Sequence, residues 1–167
     1  GVSMGGMIAQ EIALRHPGRV RGLVLACTYG DPGDDIAQIR SGMVTRLGGS
    51  TATDGSLAID AMSIDPMSMF QELMPRVFNP DYLQRELPTL IQIFSGAMQW
   101  GISMEAILAQ VHATMTHDCS TRLASIASPT MVLSGDSDRL IPPSNSERLA
   151  KRIPNAKLVF VKGGSHA

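Results

Sequence analysis

The sequence predicts an α/β fold interrupted by a long helical insertion, and three observations carry that prediction. Short apolar runs too brief for helices occur at Val20 to Cys27, Pro129 to Ser134 and Lys157 to Val161, the pattern of strands in a parallel sheet. The first and last runs sit beside amphipathic helical stretches joined by short turns, as in α/β units. Between the first two runs, the stretch from Ile36 to about Leu123 is rich in Met, Leu, Ala and Gln and poor in β-branched runs.

Each element has a local reason. Met4 to His16 reads as a helix: Met7, Ile8, Ile12 and Leu14 form its apolar stripe, Arg15 and His16 place cations at its end, and Pro17-Gly18 stops it. Val20 to Cys27 then reads as a buried parallel strand. Tyr29 to Asp35 is a loop rich in Gly, Pro and Asp. The insertion reads as helices over 34–47, 56–63, 66–77, 80–98 and 103–115, punctuated by Gly48-Gly49, Pro66, Asn79-Pro80 and Pro88. Its methionines suit packing, with a share available to line a substrate site. Asp118 is placed to cap a short helix ending near Ile126. The second strand ends at Gly135-Asp136-Ser137-Asp138, a helix follows over Ser144 to Ile153, and the third strand leads into Gly163-Gly164-Ser165-His166. The expected organisation is a first core part over 1–33, a helical cap over 34–123 and a second core part over 124–167.

Composition excludes several classes. The 167 residues are 44% hydrophobic and 17% charged, an ordinary globular balance. Fourteen Lys and Arg against 15 Asp and Glu leave a formal charge of −1, without the basic excess of a nucleic-acid binder. No apolar run approaches the roughly 20 residues of a membrane-spanning helix. The two cysteines, Cys27 and Cys119, form neither a disulfide framework nor a zinc site, so no metal and no cofactor is expected. No signal peptide is visible, and a cytoplasmic location is the default expectation. The chain opens inside a motif and stops one residue after His166, which reads as an internal piece of a longer protein.

The chemistry collects at the strand ends. Gly1-Val2-Ser3-Met4-Gly5 has the Gly-x-Ser-x-Gly form of a sharp strand-to-helix turn. A serine hydroxyl becomes a nucleophile when a neighbouring base takes its proton. At a helix N-terminus, the Met4 N–H would also be one donor to an oxyanion. Asp138 follows the second strand and His166 the third, giving the order Ser, Asp, His at the carboxyl edge where open α/β sheets build their sites. Asp136 and Asp31, which follow the second and first strands, compete for the role of acid. His16 reads as a helix-end cation, and His112 and His117 as structural.

These residues resemble the serine α/β-hydrolase superfamily. Gly1-Val2-Ser3-Met4-Gly5-Gly6-Met7 is similar to its nucleophile elbow. Ser128 through Asp138, followed by Ile141-Pro142-Pro143, resembles its acid-bearing strand, and Gly163-Gly164-Ser165-His166 resembles its histidine ending, with Ser165 in place of the second glycine. The resemblance implies a partial α/β-hydrolase fold with an inserted helical cap, near lid-bearing esterases, enol-lactonases and cofactor-free haloperoxidase-like hydrolases. It selects Asp138 as the acid. It implies catalysis by Ser3, Asp138 and His166, with Met4 in the oxyanion hole; Thr28, Tyr29, Leu140 and Ile141 follow strand ends and are substrate-pocket candidates. The implied substrate is a small-molecule ester or lactone, with no nucleic-acid or membrane partner. Carbon–carbon bond hydrolysis, thioester hydrolysis, acyl transfer and a non-catalytic binding module are the alternatives.

Overall fold

The computed structural model describes residues 1–51, 57–58, 64–101 and 103–167. Helix α1 (Met4–Arg15) is followed by a 3₁₀ turn at Pro17–Arg19 and strand β1 (Leu23–Ala26). Then come α2 (Asp34–Arg46), the two-residue strands β2 (Ser50–Thr51) and β3 (Leu57–Ala58), and helices α3 (Pro66–Val77), α4 (Pro80–Gln99) and α5 (Met104–Thr116). A 3₁₀ turn at Ser120–Ser125 leads to β4 (Thr130–Gly135), α6 (Pro143–Arg152) and β5 (Lys157–Val161). No described helix is long and apolar enough to cross a membrane.

The main sheet has the order β1-β4-β5, with both pairings parallel. Leu25 stands opposite Val132, which stands opposite Leu158. One face of this sheet carries the core. Leu23 and Leu25 of β1 and Val132 of β4 pack with Ala13 of α1, Leu149 of α6, and Leu123 and Ile126. Burying a side chain of this size contributes about 1.5–3 kcal/mol. Three of the four β1 residues are buried, as expected of this strand, whereas Val24, which points to the opposite face, is 46% exposed. Side chains alternate along a strand, so a helical layer on one face covers only every second residue.

A correction concerns the helix expected over 56–63. Thr51 pairs with Leu57 and Ser50 with Ala58 in a small antiparallel ladder. The remaining residues of that expected helix lie outside the described residues. The other insertion helices match their expected ranges to within a residue or two. Asp65 and Ser103 cap α3 and α5 through side-chain bonds to Ser68 N and Ala106 N. Pro88, expected as a break, lies inside α4.

Candidate active site

Ser3 lies at the sharp turn from β-pairing into α1. Val2 forms a parallel bridge with Ala26, and Ser3 N donates to Ala26 O at 2.9 Å. Ser3 then has φ 52° and ψ −125°, a strained conformation for a residue with a side chain. Close packing holds it there. A Cβ on Gly1 would fall 2.1 Å from Gly5 O, and one on Gly6 would fall 2.7 Å from the Thr28 side chain. Thr28, fully buried, donates from Oγ1 to Ser3 O at 2.8 Å. The Ser3 hydroxyl makes no capping bond to its own helix. Met4 is the first residue of α1, so its N–H has no intrahelical acceptor and lies where the helix dipole favours negative charge.

The parallel pairing of β4 with β5 brings the other two residues together. His166 Nδ1 lies 2.9 Å from Asp138 Oδ2, and both side chains are buried. The other carboxylate oxygen, Oδ1, accepts the backbone N–H groups of Leu140 at 2.9 Å and Ile141 at 2.8 Å. A carboxylate accepts, so Nδ1 carries the proton and the Nε2 lone pair is left as the base. Among the described residues no hydrogen bond joins Ser3 Oγ to His166; such bonds often close only around substrate.

The loops carrying Asp138 and His166 lock together. Ser137 N donates to Gly164 O at 2.9 Å, and Gly163 N to Asp136 Oδ1 at 2.8 Å. From the insertion, Asn79 Nδ2 donates to Gly163 O, and Val77 O accepts from Ala167 N. The rival acids are engaged elsewhere: Asp136 holds this loop, and Asp31 pairs with Arg152 at 2.6 Å. Of the four pocket candidates, Thr28 braces the elbow, and Leu140 and Ile141 present N–H groups to Asp138. Tyr29 and Ile141 form a buried cluster with Met7 and Ile36.

Sequence reasoning missed Cys27. Its thiol lies with Asp138 and His166 in a buried trio whose potential ligand atoms are within 4.8 Å of one another. Burial pushes the Cys27 thiol pKa up, whereas metal binding needs a thiolate. The carboxylate oxygen and ring nitrogen that a metal would take are already bonded to each other. The trio therefore fits a hydrogen-bonded cluster better than a metal centre. Cys27 ends an apolar strand, and nothing in its local sequence separates it from a core residue.

The whole chain, residues 1–167, matches the Hydrolase_4 family, described as serine aminopeptidase, S33. The chain belongs to this family, within the α/β-hydrolase superfamily. RutD of Pseudomonas savastanoi pv. phaseolicola, provisionally named a carbamate hydrolase, is 26% identical over 100% of this chain and 59% of its own length. The poly(3-hydroxyalkanoate) depolymerase of Ectopseudomonas oleovorans is 30% identical over 98% of this chain and 52% of its own. An α/β-hydrolase, MGS-M2, from a Medee basin deep-sea metagenome library superposes with a TM-score of 0.82 at 19% identity, covering 100% of this chain and 57% of that one. The chain thus spans between half and three-fifths of the length of these relatives and has part of the α/β-hydrolase fold.

Proposed function

We propose that this family member hydrolyses a carboxylic ester or lactone of a small molecule through an acyl-enzyme on Ser3. The observation that carries the proposal is the buried 2.9 Å bond from His166 Nδ1 to Asp138, at the same sheet edge as a strained serine on a helix N-terminus. In this reading His166 Nε2 takes the Ser3 proton as Oγ attacks the substrate carbonyl. Asp138 fixes the ring and stabilises its cation. The tetrahedral oxyanion accepts from the Met4 N–H, a donor worth about 2.7–4 kcal/mol in the transition state. His166 then protonates the leaving group and activates water to release the acyl group. The insertion acts as a cap over this edge, tied to the histidine loop through Val77 and Asn79.

The polyester named for the Ectopseudomonas relative supports ester chemistry. RutD supports a second reading, hydrolysis of a carbamate, by the same acyl-transfer steps. The test is the intact mass of the full-length protein after treatment with a fluorophosphonate probe, followed by an ester, lactone and carbamate panel. A single adduct on Ser3 is expected, lost in Ser3→Ala together with at least about 10⁴-fold of the hydrolytic rate. An unlabelled but folded protein overturns the proposal.

A further inference from the structure

We propose that Asn79 is a positioning residue for His166: the turn between α3 and α4 grips the histidine loop, so that seating the insertion on the core and aligning the base are one event. This inference rests on the hydrolase reading above.

Asn79 sits between the end of α3 at Val77 and the start of α4 at Pro80, and is half-buried there. Its Oδ1 accepts the Tyr82 N–H at 2.8 Å, the bond of a helix N-cap. Pro80 at the first helical position presets the backbone that follows. The Phe78 and Tyr82 rings stack across the turn with centres 5.3 Å apart. With Oδ1 committed to its own helix, the amide group has one orientation left, and its Nδ2 donates to Gly163 O at 3.2 Å. The Tyr82 N–H needs an acceptor and the Gly163 carbonyl needs a donor, so only this placement of the amide serves both.

The carbonyl that Asn79 holds lies three residues before His166. Gly163 has φ 68°, in the left-handed region, and its N–H is held by Asp136 Oδ1. The next carbonyl, Gly164 O, accepts from Ser137 N. On the far side of the histidine, Ala167 N donates to Val77 O at 3.0 Å. The α3–α4 turn therefore holds the loop both before and after His166, while the acid-bearing loop holds the residues nearest to Asp138. Within that frame His166 Nδ1 meets Asp138 Oδ2 at 2.9 Å. That bond fixes one nitrogen of the ring. The direction of Nε2, which must face the Ser3 hydroxyl, is set by the backbone that carries the ring. Misplacing a catalytic group by about 1 Å costs about 10²-fold in rate, so a hold on this backbone acts on the rate through His166 without touching substrate.

The experiment separates the grip from the helix cap, in the full-length protein. Asn79→Asp keeps an oxygen for the Tyr82 N–H, and Asp caps a helix as well as Asn does, but it turns a second oxygen on the Gly163 carbonyl. Asn79→Ser keeps a cap with a hydroxyl one atom shorter, which does not span to Gly163. Both variants are expected to lower kcat by about 3- to 10-fold, on whichever ester, lactone or carbamate the wild type turns over. KM and melting temperature should change little. Wild-type kcat in both variants overturns the inference, and so does a loss of kcat that appears only with a lowered melting temperature. A second readout needs no turnover. The proton between His166 Nδ1 and Asp138 can be followed by low-field proton NMR. It should exchange with water at least about 3-fold faster in Asn79→Ser than in wild type, because the loop opens more readily. Unchanged exchange overturns the grip, whatever the protein hydrolyses. Faster exchange in a protein that hydrolyses none of these substrates supports the grip and overturns the hydrolase reading instead.

Discussion

At the residue scale, one hydrogen bond sets the protonation pattern of the site. Asp138 uses Oδ1 for two backbone N–H groups and Oδ2 for His166 Nδ1. Asp138→Asn keeps the shape but allows an amide N–H to face Nδ1, which favours the tautomer with its proton on Nε2. That ring cannot accept the Ser3 proton. The expected outcome is a fall of about 10⁴ in kcat with little change in melting temperature. Steady-state kinetics beside a thermal melt checks it, and a loss of activity that merely tracks unfolding would count against the role given to Asp138. The thiols should behave as bystanders. Burial pushes Cys119 up to about 11 and raises Cys27 as well, so both stay protonated at neutral pH and present little thiolate to alkylating agents.

At the element scale, backbone proximity matters more than side-chain chemistry. The β4 end and the histidine loop approach so closely at Gly135 that a Cβ there would lie 2.2 Å from Gly164 O and 2.6 Å from Ser165 O. Backbone on both sides leaves no flexible atom to yield. Gly135→Ala is expected to cost roughly 2–4 kcal/mol and to misplace His166 relative to Asp138. Gly96, inside α4, has nothing within 4 Å of the added carbon. There the same substitution should stabilise by about 0.5–1 kcal/mol, because alanine is the better helix former. Denaturant unfolding of both variants checks the contrast, and equal effects would remove the close-approach argument.

At the scale of the whole molecule, ion pairs link distant parts of the chain. Glu11 of α1 accepts from Arg122 at 2.5 and 3.1 Å and from Arg15 at 3.0 Å. The hydrogen bond from Arg122 is the main reason that Glu11 falls from 4.5 to about 2. A depressed carboxyl pKa stabilises the fold above the unfolded value, and that contribution is lost as pH falls through the folded value. The Glu11 side chain is half-buried but both arginines are exposed, so screening limits the contribution to about 0.5–1 kcal/mol. Glu11→Gln should therefore be less stable than wild type at pH 7. The difference should shrink between pH 4.5 and 2 and vanish below. Unfolding curves for the two proteins across that range check the sign; a difference that stays constant with pH would show that the carboxylate charge is not its source.

The sequence by itself determined whatever depends on near neighbours. Apolar spacing and the Pro and Gly stops marked α1, α3, α6 and β5. The Gly-x-Ser-x-Gly turn marked Ser3, and the residues just past two strand ends marked Asp138 and His166. Local patterns record these features because helix and strand periods, caps and tight turns are fixed within a few residues. Tertiary structure alone decided what meets across long separations. Strand order set Cys27 beside Asp138 and His166. The return of α5 placed Thr114 O on Tyr29, 85 residues away, and packing of α2 against the core brought the Arg40 guanidinium onto the Tyr29 hydroxyl. The exposed second face of β1 belongs with these, since a run such as Leu23-Val24-Leu25-Ala26 is equally apolar at every position. Which residue of such a run is buried depends on which face of the sheet the helices cover, and that coverage is a property of the assembled layers.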